Sequence, residues 1–171
     1  MKISTWNCCL GLTYKKDIIS DFLTNHSIDI LCIQECEIDP GNASFYSIKG
    51  YTTEISNCLP KARTCIYISN KIQYERVKNV QIDIDQEIIC IKFCNFLLTN
   101  YYRTFKICHT KSHLTHFQRA VEIFNELFQL NQNKQIILLG DFNIDYNKFN
   151  DNFYTKNYFL KHLTRSLLNL T

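Results

Sequence analysis

The sequence predicts an α/β (α+β) sandwich with helices over one face of each sheet. Three observations point there: an opening strand–helix–strand pattern, a middle stretch of strands separated by short polar turns, and a helix–strand unit after it. Residues 2–6 read as a first strand, with Ile3 and Thr5 in a β-favouring run. Residues 15–25 read as a helix because Ile18, Ile19, Phe22 and Leu23 fall on one stripe. Residues 29–34 form a short, almost wholly apolar run, the pattern of a strand buried on both faces. Asp39-Pro40-Gly41-Asn42 is the strongest turn signal. Residues 64–68, 72–80, 87–93 and 96–102 read as an antiparallel meander, turning at Ser69-Asn70, Asp83-Ile84-Asp85-Gln86 and Cys94-Asn95. Residues 112–130 carry a long helical stripe of Leu114, Phe117, Val121, Phe124, Leu127 and Phe128. Residues 135–139 read as a second fully buried strand running into Gly140-Asp141-Phe142-Asn143, and residues 154–170 as a last helix.

Length and composition set bounds on this reading. At about 150 residues per domain, 171 residues predict one domain, 1–171, with enough chain for a real core. A hydrophobic share of 46% excludes a disordered chain. The net charge of +3 is compatible with an anionic partner but does not argue for one. Only 4 glycines and 2 prolines leave most turns to Asn and Asp. The first residues lack a signal-peptide h-region, and no apolar run approaches the roughly 20 residues of a membrane span, so an intracellular protein (nuclear or cytoplasmic) with reduced thiols is expected. The nine cysteines read mainly as small core hydrophobes. The sharper reading is zinc, from Cys32 and Cys36, Cys90 and Cys94, or Cys108 and His109 with His113 and His116, but no repeated ligand spacing supports it.

Polar residues stand directly at the ends of the buried strands: Asn7, Gln34-Glu35 with Glu37 two positions on, and Asp141 with Asn143. Strand ends are where ligand sites form in open α/β folds, and i and i+2 share a face. Carboxylates with amides suit a hard cation such as Mg²⁺, which takes oxygen ligands, waters and substrate phosphate. The plain alternative is that Asp and Asn form turns and Gln-Glu is a solvated edge. Lys61, Arg63, Arg103, Lys106 and Lys111, interleaved with Tyr101, Tyr102 and Phe105, could track a phosphate backbone or merely form a solvated face.

Taken in order, Ile3-Ser4-Thr5-Trp6-Asn7, Asp29-Ile30-Leu31-Cys32-Ile33-Gln34-Glu35, Asn100-Tyr101-Tyr102-Arg103 and Leu139-Gly140-Asp141-Phe142-Asn143 resemble the signatures of the endonuclease/exonuclease/phosphatase superfamily. The likeness is to the apurinic/apyrimidinic-type endonuclease domain of non-LTR retrotransposons. It implies a four-layer sandwich of two mixed β-sheets flanked by helices, and Mg²⁺-dependent (or Mn²⁺-dependent) cleavage of a phosphodiester in DNA. By that resemblance Glu35 is the principal metal ligand and Asn7 lies beside the metal. Tyr102 contacts the scissile phosphate or acts as an acid near it, Asp141 orients or activates water, and Asn143 hydrogen-bonds the phosphate. From the basic cluster, not from the resemblance, Arg103, Lys106 and Arg63 are the expected nucleic-acid contacts. Glu37 matches no family role.

The sequence also departs from the pattern. The Ser-Asp-His signature that closes the family is missing, as are the glycines expected near Arg63-Thr64 and the proline expected after Tyr102-Arg103. A domain truncated at its C-terminus, without its last strands, is therefore expected, with an oligomer or partner chain completing the open sheet. Loss of the histidine implies about 3–4 kcal/mol less transition-state stabilisation. Two alternatives follow: a catalytically inactive nuclease-fold remnant acting as a binding or assembly module, and a phosphodiesterase or phosphatase acting on phospholipid or inositol phosphate.

Overall fold

The computed structural model describes residues 1–57, 60–77, 86–104 and 113–143. In chain order these form β1 (Ile3–Asn7), α1 (Leu12–Asn25), β2 (Ile30–Ile38), a 3₁₀ helix (Pro40–Tyr46), β3 (Tyr51–Ile55), β4 (Ala62–Ser69), β5 (Glu75–Arg76), β6 (Gln86–Phe93), β7 (Phe96–Arg103), α2 (His113–Gln129) and β8 (Gln135–Asp141). Two mixed sheets result, ordered β1-β2-β4-β3 and β5-β6-β7-β8. Each contains one parallel pair joined through a helix, β1–α1–β2 in the first and β7–α2–β8 in the second.

Side-chain alternation along β2 shows how the layers are built. Leu31 and Ile33 join Ile19 and Leu23 in a core under α1, while Ile30 and Cys32 turn the other way. They meet Ile89, Ile91, Phe93 and Leu98 between the two sheets. A third core packs Leu97 and Tyr101 of β7 against Ala120, Phe124 and Phe128 of α2. The order helix, sheet, sheet, helix is the expected four-layer sandwich. It explains why the β2 run is apolar throughout: each of its faces meets a different core.

At one end the inter-sheet layer turns polar. Gln34 is buried, shares hydrogen bonds with Thr5, and donates through Nε2 to Asn100 Oδ1 at 2.6 Å. Asn100 Nδ2 in turn donates to Ile33 O and Cys65 O, both at 3.0 Å. Strand backbone and buried amides thus satisfy one another across the two sheets.

Several expectations need correction. The meander does not exist as one unit, because β4 lies in the first sheet and β6 and β7 in the second. Strand β3 is an addition, and it forms the edge beside β4. Within residues 72–80 the described strand is only Glu75–Arg76. α1 starts earlier, at Leu12, and Ile18 is exposed at 58%, so the buried stripe is Leu12, Ile19 and Leu23. β8 is only half-buried, because it lies at the edge of the described sheet. Cys32 and Cys36 occupy different cores, so that CxxxC pair does not converge. The turn at 83–86 lies mostly, and the last helix wholly, outside the described residues, with the side chains of Leu114 and Phe117. Among the described residues no helix is long and apolar enough to cross a membrane.

Candidate active site

Parallel pairing carries the carboxyl ends of β1 and β8 to the same end of the sandwich as β7. Asn7 stands opposite Gln34, and Asp141 opposite Tyr102. Between Gln34, paired to Thr64, and Ile38, paired to Ala62, β2 bulges. Glu35 and Glu37 adopt left-handed backbone conformations, with φ of 55° and 52°. Cys36 between them is buried, its thiol against Ala62 O at 3.2 Å. The bulge thus turns two carboxylates outward around a buried anchor. Left-handed backbone at non-glycine residues costs roughly 1–2 kcal/mol each and gathers at functional sites.

Asn7 is the hub. Its Nδ2 donates to Glu35 Oε1 at 3.0 Å and to Asp141 Oδ2 at 2.6 Å, joining the first sheet to the second. Its Oδ1 accepts from Cys9 N at 2.9 Å, which fixes the orientation of the amide. The other oxygen of Asp141 accepts from Asn143 N at 2.8 Å, closing a turn in which Asn143 has φ of 48°. Asn143 Nδ2 donates to Arg103 O.

Tyr102 is 6% exposed. Burial first, then the negative charge of Glu35, holds its phenol above the ordinary value. Arg63 pulls the other way, and Asp141 and Glu37 push it further up. The phenol is therefore a protonated donor at neutral pH. The Arg63 guanidinium lies over the Tyr102 ring, 5.4 Å from its centroid. Glu37 stands 3.9 Å from Lys61 at the exposed rim.

Asn7, Glu35, Asp141, Asn143, Tyr102 and Arg63 are thus brought together. Arg103 is not a nucleic-acid contact. It is fully buried, and its Nε and Nη2 donate to Phe142 O at 2.9 Å and Asn143 O at 3.1 Å. It clamps the turn that carries Asp141 and Asn143. Arg103→Met removes these two donors from the turn, so a loss of about 3 kcal/mol is expected in urea denaturation. Unchanged stability would refute the clamp. Lys106 and Lys111 lie outside the described residues. Gln34 belongs to the inter-sheet amide network.

Glu87 escaped the sequence reading. A lone acid in the run Glu-Ile-Ile-Cys-Ile was its signal, and counting back from the Cys94-Asn95 turn pairs it with Tyr102.

Among the described residues no group of three or more His, Cys, Asp and Glu side chains converges to hold a metal. The oxygen donors here are the two carboxylates that share the Asn7 amide. That set suits a hard cation, which commonly takes one or two protein carboxylates and completes its shell with water and phosphate.

The sequence pattern of the Endonuclease/Exonuclease/phosphatase family matches residues 4–163. Among curated protein sequences none matches. Solved structures share the fold. The endonuclease domain of TRAS1, a telomere-specific non-LTR retrotransposon, has a TM-score of 0.63 at 12% identity, over 95% of this chain and 70% of its own. A 3′–5′ exonuclease from Neisseria meningitidis has a TM-score of 0.64 at 21% identity, over 84% of this chain and 58% of its own. D. rerio TDP2 complexed with a single-strand DNA product has a TM-score of 0.57 at 13% identity, over 87% of this chain and 63% of its own. The chain thus spans less than two thirds of the length of the exonuclease and of TDP2.

Proposed function

The chain belongs to the endonuclease/exonuclease/phosphatase family, and from that premise we propose that it is a nuclease-type phosphodiesterase. Its proposed reaction is hydrolysis of a DNA phosphodiester with Mg²⁺ or Mn²⁺, in the manner of a retroelement endonuclease. The observation that carries this reading is the single amide of Asn7 bonded to carboxylates from both sheets. With Tyr102 and Asn143 beside it, the arrangement supports a reading in which an acid, a base and a hydrogen-bonding amide act around one point.

In this reading Glu35 holds the cation's side of the site, and Asn7 beside it keeps Glu35 and Asp141 in register. A bound divalent ion would polarise the phosphoryl oxygen and stabilise the leaving alkoxide. Asp141, its two oxygens already directed by Asn7 and Asn143, orients the attacking water and receives its proton. Tyr102 donates to the phosphate, a role its raised phenol value preserves at neutral pH. Asn143, in the turn clamped by Arg103, hydrogen-bonds the phosphate in the transition state. Arg63 supplies positive charge beside the same phosphate.

The test is cleavage of supercoiled plasmid and of a duplex with one abasic site, with Mg²⁺, Mn²⁺ or EDTA, and an inositol phosphate as a parallel substrate. Nicked DNA that depends on Mg²⁺ or Mn²⁺ is expected. Absence of metal-stimulated DNA cleavage would overturn the reading, and release of phosphate from the inositol substrate alone would move it to another phosphoester.

A further inference from the structure

Glu87 lies at the start of β6, with its carboxylate fully buried. An isolated buried carboxylate is strongly disfavoured unless it is paired and hydrogen-bonded. Glu87 is both. Its Oε2 accepts from Ser56 Oγ at 2.5 Å, Arg63 N at 2.7 Å and Thr64 N at 3.0 Å. Its Oε1 accepts from Arg63 Nε at 2.8 Å. Every one of these donors belongs to the first sheet or to the residue after β3, whereas Glu87 belongs to the second sheet. One carboxylate therefore ties the sheets together beside the bulge that turns Glu35 outward.

The two oxygens do different work. Oε2 is satisfied by a hydroxyl and two backbone N–H groups, donors that need no arginine. Oε1 takes the guanidinium, and that bond fixes where a long, rotamer-rich side chain lies. It lies over the ring of Tyr102, the residue paired with Glu87 across the β6–β7 hairpin. Glu87, Arg63 and Tyr102 thus form a short relay from a buried anchor to the site.

We propose that Glu87 is a positioning residue of the active site, holding the Arg63 guanidinium over the Tyr102 ring so that a fixed cation and the phenol meet the substrate phosphate together. The proposal rests on the reading that Tyr102 faces that phosphate. Its physical content is preorganisation. A flexible arginine must be immobilised when substrate binds, whereas one already anchored is in place before charge develops. Lysine is a poorer substitute, because an ammonium keeps the charge but lacks the Nε–H that Glu87 Oε1 accepts and the planar guanidinium that this bond orients. Arg63 also opposes the negative charges of Glu35, Asp141 and Glu37 around the phenol.

The test has two arms. The first uses the metal-free protein without substrate, carrying ¹⁵N-arginine and ¹³C-tyrosine labels. The Arg63 Nε–H resonance is expected to lie downfield and exchange slowly with water, the signature of its bond to Glu87 Oε1. Glu87→Gln should move both it and the Tyr102 ring signals while leaving those of Tyr51 unchanged. A Glu87→Gln protein in which the Arg63 and Tyr102 signals stay put overturns the proposal.

The second arm is kinetic, on the abasic duplex with Mg²⁺. Glu87→Gln and Arg63→Gln are each expected to lower kcat about 10-fold with KM changed less than about 3-fold, and the double variant should lose no more than either alone. Additive losses of about 100-fold would mean that the two residues act separately, and would overturn the proposal. If Glu87→Gln fails to fold, Arg63→Lys carries the kinetic test, because it keeps the charge but not the flat face. Full kcat in that variant overturns the proposal. If the wild-type protein itself cleaves nothing, the proposed activity falls, and the resonance arm still decides whether Glu87 positions Arg63.

Discussion

Glu35→Gln is expected to lower Mg²⁺-dependent DNA cleavage by about 10³-fold while leaving the fold intact. The substitution keeps the shape of the side chain and an oxygen that can still accept from Asn7 Nδ2. Glu35 is half-buried at the lip of the bulge, and its Oε1 accepts from the Asn7 amide of β1, a bond that a glutamine oxygen can keep. Its change in stability should therefore stay within about 0.5 kcal/mol. What is lost is charge. Two carboxylates meet at the Asn7 amide, and in the proposed reaction Glu35 is the one that faces the cation, so the Gln variant gives up that charge. A 10³-fold loss corresponds to about 4 kcal/mol of transition-state stabilisation. A second consequence follows from the same electrostatics. Glu35 is the largest charge holding the Tyr102 phenol above its ordinary value, so the Gln variant should lower that value toward the usual phenol range. Cleavage by the Gln variant within a factor of about 3 of wild type, measured across Mg²⁺ concentrations, would remove Glu35 from the reaction.

The end of the sandwich where chemistry is proposed was legible, and the reason is geometric. Asn7, Tyr102 and Asp141 each lie at the carboxyl end of a strand, and the two parallel pairs bring those ends together. A short apolar run followed by a polar residue announces such an end without any knowledge of which strands pair. The bulge was not legible. Gln34-Glu35-Cys36-Glu37-Ile38 reads as a strand stopping at Gln34, whereas β2 continues to Ile38 by giving Glu35 and Glu37 left-handed conformations. Those conformations are imposed by pairing to Ala62 and Thr64, residues far away in sequence. Arg103 is buried for a different reason. Period-two alternation along β7 puts Tyr101 and Arg103 on the face opposite Tyr102, toward α2, so a strand that offers Tyr102 to the site must withdraw Arg103 from it. For this residue strand parity, not charge, decides where the side chain lies. The meander failed because strands adjacent in sequence usually pair, and here the chain leaves one sheet for the other after β4.

Gly140→Ala is expected to cost about 4 kcal/mol of stability and lower the melting temperature by about 10 °C. The residue lies inside β8, paired in register with Tyr101. A Cβ at this position would stand 1.9 Å from Tyr101 O, 2.7 Å from Tyr101 C and 2.8 Å from Tyr101 N. All three are backbone atoms of the neighbouring strand, so no side-chain rotation relieves the overlap, and β7 and β8 must separate. The φ of 142° adds strain of its own. Gly50 supplies the control that divides these causes. Its φ is 87°, but a Cβ there meets nothing within 4 Å. Gly50→Ala should therefore show conformational strain alone, about 1 kcal/mol and roughly 3 °C. Equal losses at the two positions, measured by thermal and urea denaturation, would show that β8 yields without penalty and would refute the argument. Activity adds a distinction that stability cannot. Asp141 follows Gly140 directly, and its 2.6 Å bond to Asn7 is the link between the sheets on which the proposed site depends. At a temperature where Gly140→Ala remains folded, its cleavage rate should fall well below that of Gly50→Ala. The glycine of the Gly-Asp-Phe-Asn segment is then required twice, once because two strand backbones touch where its side chain would be, and once because that contact sets the position of the aspartate.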